Sequence, residues 1–537
     1  MNNSVKSLMF IPIAMVLGSC ITHRPVRTFD GVNASGPPDS CPPPPPSNTQ
    51  PCAMGGPYPD IDISSDSVCT SIADLQAAGP LGEQTRHGVA CVSHERHRYA
   101  ANSPTSLPHG GFDLHVLEFD DEGQPWNRAQ QARTFDVLNR QLRGQPAVVV
   151  VFVHGWKHDA SVCDHNLSCF REVLEILSKA ETHFAGSSRK PRRVVGVYIG
   201  WRGGNISVEP AKELTFWSRK HTAHVIGDNG GVTAVIERLR TIVKESRGEG
   251  RPAPEGTSLL MVGHSFGGAL LYSAVATSLN ADVGAAVQQG ADVPIPQAGG
   301  RQTQGALTNR RPIISEYPVR VETDGDLVIL VNPAMEASRF ANLADTRNRR
   351  FHPEQVPIFM TLGSEADGAV GGFFPIGQAF ATVARAARSR DIWFSMDKGF
   401  GLYEPFHTHR LVVKPEDGIP LPERTSGTCR CPSNLGAFGD ALVLRLGRLY
   451  EHLHTEQPPT VERLRLAAYQ EMLYSRLEPL RDVDPNNPFI MASVDPDIVG
   501  GHSDIFNPRF MDFLIEYVIQ TEIKRELVDD YGQKRVR

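Results

Sequence analysis

Several features that mark whole protein classes are missing from this sequence or scarce in it. No long basic run occurs and the net charge is −6, so the electrostatic footprint of a nucleic-acid partner is absent. No C-x2-C spacing occurs among the nine cysteines, which removes the usual frame for a zinc site. Neither a metal nor a cofactor is expected. No internal repeat is evident, so solenoid and propeller architectures are set aside. The apolar run near the start, Leu8 to Leu17, is too short to span a bilayer comfortably.

What is present is a globular composition. The 537 residues are 40% hydrophobic and 21% charged, ample apolar material for a large core. Residues 1–19 have the layout of a secretory signal: Lys6, the apolar run, then Gly18-Ser19. Cys20 follows. Leu17-Gly18-Ser19-Cys20 resembles the bacterial lipobox, which implies cleavage before Cys20 and diacylglycerol on its thiol. Ile21 rather than Asp follows the cysteine, which implies an outer-membrane address in the cell envelope. Acyl chains there would anchor an otherwise soluble body to a membrane. The other eight cysteines are an even set, in keeping with an oxidising compartment and disulfides. Cys163 and Cys169 form the simplest local pair, whereas Cys429 and Cys431 are too close to bridge each other without strain.

Residues 20–108 are rich in Pro, Ser and Gly, including Pro42 to Pro46. Consecutive prolines favour polyproline II, so this segment reads as a semi-rigid tether, with Cys69 to Cys91 folding locally against the main body. Residues 109–537 read as one α/β domain. Ala147 to Val153 is a continuous apolar run dominated by valine, the pattern of a strand covered on both faces. Gly111–Phe119, Val194–Ile199, Asp326–Pro333, Val356–Leu362 and Phe489–Val494 are further strands. Trp126–Leu142, Phe170–Leu177, Gly231–Glu245 and Arg509–Glu526 have helical spacing. Alternating strands and helices predict a mostly parallel sheet with helices on both faces. Insertions are expected at about 200–228, 281–313 and 363–488.

The chemistry concentrates in Leu259-Leu-Met-Val-Gly-His-Ser-Phe-Gly-Gly268. Apolar strand, G-x-S-x-G turn and small-residue helix start form the context of a nucleophile elbow at Ser265. Gly263 and Gly267 remove Cβ atoms that would clash in so tight a turn. A serine nucleophile needs a base, and the base needs an orienting acid. The run from about Gly111 to Glu526 resembles the α/β-hydrolase superfamily through Val153-His-Gly-Trp156, Gly263-His-Ser-Phe-Gly267, Gly363-Ser-Glu-Ala-Asp367 and Gly501-His-Ser-Asp504.

That resemblance implies an α/β-hydrolase fold and the chain order Ser, acid, His, each beyond the carboxyl end of a strand. Asp367 is the favoured acid, with Glu365, Glu336 and Asp326 as alternatives. His502, in a Gly-rich loop after the last strand, is the favoured base; His407 and His409 compete from an earlier position. The oxyanion donors implied are the backbone N–H groups of Phe266 and Trp156, with His154 as a buttress. Trp201, Phe216, Trp217 and Phe373-Phe-Pro-Ile376 either form an apolar cap or pack on the core. The expected activity is hydrolysis of carboxylic esters, lipids included, through an acyl-enzyme. The alternatives are a non-catalytic surface lipoprotein, or a peptidase or acyltransferase on the same fold.

Overall fold

The computed structural model describes residues 94–97, 110–143, 145–160, 164–185, 190–203, 216–247, 256–289, 321, 327–347, 349–352, 354–368, 386–414, 439–447, 472–480, 483–484 and 486–536. The signal segment, Cys20, most of the tether, Asp326, Phe373–Ile376 and every cysteine except Cys169 lie outside them. Cys169 is disulfide-bonded. Among the described residues no helix is long and apolar enough to cross a membrane.

The described strands are β1 (His94–His97), β2 (Phe112–Phe119), β3 (Ala147–Val153), β4 (Arg193–Trp201), β5 (Ser258–His264), β6 (Leu327–Val331), β7 (Phe359–Ser364), β8 (His409–Val413), β9 (Ser475–Pro479) and β10 (Phe489–Val494). They form one 10-stranded sheet in the order β1-β2-β4-β3-β5-β6-β7-β10-β8-β9. Only the two outer pairs, β1–β2 and β8–β9, are antiparallel; every inner pair is parallel. The mixed α/β class and the mostly parallel sheet expected from the sequence are therefore present.

The helices used below are α1 (Arg128–Leu142), α2 (His165–Ala185), α3 (Phe216–Asp228), α4 (Gly231–Arg247), α5 (Phe266–Gln289) and α6 (Pro508–Val536). A strand's side chains alternate between its faces, and β3 shows both faces covered. Val149, Val151 and Val153 pack with α1, α3, α4 and α5, while Val148, Val150 and Phe152 pack with α2, residues 439–447 and α6. Each such side chain fully removed from water contributes about 1.5–3 kcal/mol before entropy is counted.

Four expectations need correction. The sheet begins inside the segment read as tether, because β1 pairs with β2 through His94↔His115 and its neighbours. No apolar run announces β1; it is held by polar pairing. His94 Nε2 lies 3.2 Å from Asp113 Oδ1, and its ring stacks on His115 at 4.3 Å. Burial opposes the charge on Asp113, yet the His94 hydrogen bond and nearby positive charge hold its carboxyl well below the usual range. Second, the stretch read as insertion from Ala281 is partly helix, since α5 continues to Gln289. Alanine and glutamine there are good helix formers without an apolar stripe. Third, residues 363–488 are more than an insertion, because they supply β8 and β9 to the sheet edge. Fourth, the stretch read as insertion at about 200–228 begins within β4, which ends at Trp201, and finishes in α3; Trp201 is 2% exposed, so of its two expected placements it takes the one on the core. The side chains of Phe216 and Trp217 are outside the described set.

One buried pair gives a pH prediction. Asp512 and Glu516 sit one turn apart on α6, 0% and 2% exposed, and share Arg445 from the helix at 439–447. Burial, then the adjacent Glu516 charge, pushes the Asp512 carboxyl up to about 7. The folded chain therefore holds a proton there that the unfolded chain releases near its ordinary carboxylate pKa. Stability from this group is intact below that value and is lost as pH rises toward 7. Asp512→Asn should remove the loss. Denaturant titrations should show the variant gaining roughly 2 kcal/mol on wild type between pH 5 and pH 8. An unchanged difference across that window would contradict it.

Candidate active site

The site is built where β5 meets α5. Ser265 stands between them with φ +57°, a left-handed backbone that a non-glycine residue adopts only at a cost of order 1–3 kcal/mol. Neighbouring chain holds it there. Its N–H donates to the Val331 carbonyl at 3.0 Å, and its carbonyl accepts from Ala334 N–H at 3.1 Å and Ala269 N–H at 3.2 Å. A Cβ at Gly263 would lie 2.8 Å from the Gly267 carbonyl oxygen and from Gly268 Cα. A Cβ at Gly267 would overlap the carbonyl oxygens of Val153 and His154. The two elbow glycines are thus needed for close approach of backbone to backbone.

Three loops converge on Ser265. His502 lies in the loop between β10 and α6, and its Nε2 is 2.6 Å from Ser265 Oγ. Asp367 lies just past β7, and its Oδ2 is 2.8 Å from His502 Nδ1. A hydroxyl, an imidazole and a carboxylate are therefore in line, from positions 265, 367 and 502. Ser265 is 2% exposed while the His502 side chain is 18% exposed, so the base side faces the opening. The Asp367 loop is shaped by Ser364, whose Oγ accepts from Ala366 N–H at 3.0 Å and donates to the Val499 carbonyl at 2.6 Å.

The other candidate acids are engaged elsewhere. Glu336 is paired with Lys220 of α3 at 2.6 Å, and Glu365 with Arg410 at 3.2 Å on the surface. His407 bonds the Phe400 carbonyl at 3.0 Å, and His409 begins β8 with Thr408 Oγ1 2.9 Å from its Nδ1. Neither belongs to the Ser265 cluster.

Gly155 and Trp156 follow β3 and lie beside the serine. A Cβ on Gly155 would stand 2.8 Å from Ser265 Cβ, so only glycine lets this loop pass so close. The rings of Trp156 and Phe266 are 6.4 Å apart, which brings both expected oxyanion segments to one place. Phe266 is the first residue of α5, where a backbone N–H has no intrahelical acceptor and the helix dipole favours negative charge.

His154 braces this loop from within. Its Nδ1 donates to the Gly155 carbonyl at 3.0 Å, and its Nε2 accepts from the Trp201 N–H at 3.1 Å. Its ring stacks between Tyr198 and Trp201. Burial keeps the imidazole neutral, pulling it down to about 4.

Sequence reasoning missed two contributors. Asn332, at the end of β6, has φ +45° and reaches the His502 loop. Its only sequence signal was an Asn-Pro step directly after a strand. His264 was noted only as the x of G-x-S-x-G; its Nε2 lies 2.9 Å from the His502 carbonyl oxygen. Among the described residues, no group of three His, Cys, Asp or Glu side chains is arranged to hold a metal ion. No family model, curated protein or solved structure matches the chain.

Proposed function

We propose that this protein is a serine hydrolase of the α/β-hydrolase type that cleaves carboxylic esters through an acyl-enzyme. The observation that carries the reading is the unbroken relay from Ser265 Oγ through His502 to Asp367, at 2.6 and 2.8 Å, with the serine on a strained elbow. The nucleophile follows β5, the acid follows β7 and the base follows β10, which is the chain order the resemblance implies.

In the mechanism, His502 Nε2 takes the proton from Ser265 Oγ as the oxygen attacks the ester carbonyl. The C–O double bond opens to an oxyanion, held by the N–H groups of Phe266 and Trp156. Asp367 accepts from His502 Nδ1–H, which selects the tautomer that leaves Nε2 free to act as base, and it stabilises the imidazolium. His502 returns the proton to the departing alcohol as the bond to it breaks. Water then repeats the sequence against the acyl-serine and releases the acid. A lipid ester at a membrane is the substrate class that the Cys20 anchor suggests, in the bacterial envelope. A scaffold that had lost catalysis has no need of a strained serine with its base already within hydrogen-bond reach.

A fluorophosphonate probe tests this directly. Wild type should become covalently labelled, and Ser265→Ala should not. Folded wild type that resists labelling would sink the proposal.

A further inference from the structure

A triad histidine must be placed as well as oriented. Its side chain can meet Ser265 and Asp367 together only if its own backbone stays still. That backbone lies in the Gly500–Asp504 loop, where two glycines precede it and no strand or helix holds it. The described contacts show what does.

The carbonyl oxygen of His502 receives two donors from the strands beneath. Asn332 Nδ2 reaches it at 3.0 Å and also approaches the Gly501 carbonyl at 3.4 Å. His264 Nε2 reaches it at 2.9 Å. Both residues are buried, at 2% exposure each. The other end of the Asn332 amide is used too, because its Oδ1 accepts from Ser364 N–H at 2.8 Å. Ser364 is three residues before Asp367 and shapes that loop through its hydroxyl. His264 is the residue before Ser265. One amide and one imidazole thus join the nucleophile strand, the acid loop and the base loop.

We propose that Asn332 and His264 are positioning residues that set the Ser265–His502–Asp367 geometry by clamping the carbonyl of His502; this rests on the hydrolase reading above. The residue types suit the task. Asparagine tolerates the left-handed backbone at 332 better than most residues, and its short amide supplies a donor and an acceptor on separate atoms. Burial, and after it the neighbouring His502, hold the His264 imidazole well below its usual range, although its hydrogen bond to the His502 carbonyl favours the charge. It therefore stays neutral and adds no repulsion when His502 becomes imidazolium. In a neutral ring whose Nε2 donates to a carbonyl, Nδ1 carries the lone pair. Gly155 packs against that nitrogen, since a Cβ there would stand 3.0 Å from it. The clamp consequently touches the oxyanion loop as well.

Steady-state ester kinetics on the full chain separate the ideas. Asn332→Asp keeps an acceptor for Ser364 N–H but turns the donor into a carboxylate oxygen facing two carbonyls. It should lower kcat by about 100-fold with KM within about twofold, as expected when only transition-state geometry is lost. His264→Leu should lower kcat by at least tenfold. His264→Gln, which keeps an N–H near the same reach, should lose less than the leucine variant. If Asn332→Asp does not fold, the leucine-against-glutamine comparison decides. Folded variants that keep kcat within twofold of an active wild type overturn the clamp and leave the hydrolase reading standing. A loss carried in KM, or an equal loss in both His264 variants, also overturns it. A folded wild type that neither labels nor turns over ester overturns the hydrolase reading, and the clamp with it.

Discussion

Asp367→Asn should lower kcat for a soluble ester by about 10⁴-fold and leave KM nearly unchanged. The substitution preserves volume, so the loop built on Ser364 should survive. What changes is the proton. An amide can turn N–H toward His502 Nδ1 and stabilise the tautomer with its hydrogen on Nε2. That tautomer donates to Ser265 Oγ and cannot accept from it. The imidazolium formed in the transition state also loses its counter-charge. Neither Glu336 nor Glu365 is placed to take over, since Glu336 is paired with Lys220 and Glu365 with Arg410. A fall smaller than tenfold, measured at saturating substrate, would mean that Asp367 does not orient the base. A KM rise with unchanged kcat would say the same.

The largest stability effect is expected at the opposite end of the sheet. Arg192, just before β4, has its side chain 8% exposed, set against two carboxylates. It reaches Glu181 of α2 at 2.6 Å, Glu522 of α6 at 3.0 Å and Ser258 Oγ of β5 at 2.9 Å. Burial penalises the charge, but the attraction of Glu181 and Glu522 outweighs it and raises the guanidinium pKa further. Arg192→Met should fill the space and remove the guanidinium that both glutamates share. Removing one member of a buried ion pair typically costs about 3–5 kcal/mol, because the remaining charge has no water to return to. Arg525, 2.5 Å from Glu522, offsets part of this. Urea unfolding should place the variant about 3–5 kcal/mol below wild type at pH 7. Lowering the pH to 5 should narrow the gap as the stranded carboxyls take up protons. A variant within 1 kcal/mol of wild type would show that the pairing contributes little. The network ties α2, β4, β5 and α6 together beneath the nucleophile strand.

Local order determined much of what the sequence says about this protein. Unbroken burial of Ala147–Val153 needs only a continuous run of apolar, mostly β-branched side chains, so the strand and its two covered faces are legible without coordinates. The Ser265 elbow is legible for the same reason: strand, glycine-flanked serine and helix are consecutive. Asp367 and His502 are legible by chain order, Asp367 past the strand after Glu336 and His502 past the last strand, with the resemblance supplying the rule.

Other features depend on residues distant in the chain, and only the tertiary structure decided them. β1 has no apolar signal, because its pairing with β2 is secured by His94, Asp113 and Arg193, three polar residues from separate elements. Residues 363–488 read as insertion, because β8 and the edge strand β9 have five residues each and partly exposed faces, too short and mixed to announce a sheet. Glu336 looked like a possible acid until Lys220 was placed against it from 116 residues away. Asn332 and His264 carry no motif at all. Their meaning lies in a carbonyl 170 and 238 positions further along, and a hydrogen bond across that distance leaves no periodicity or spacing in the chain that makes it.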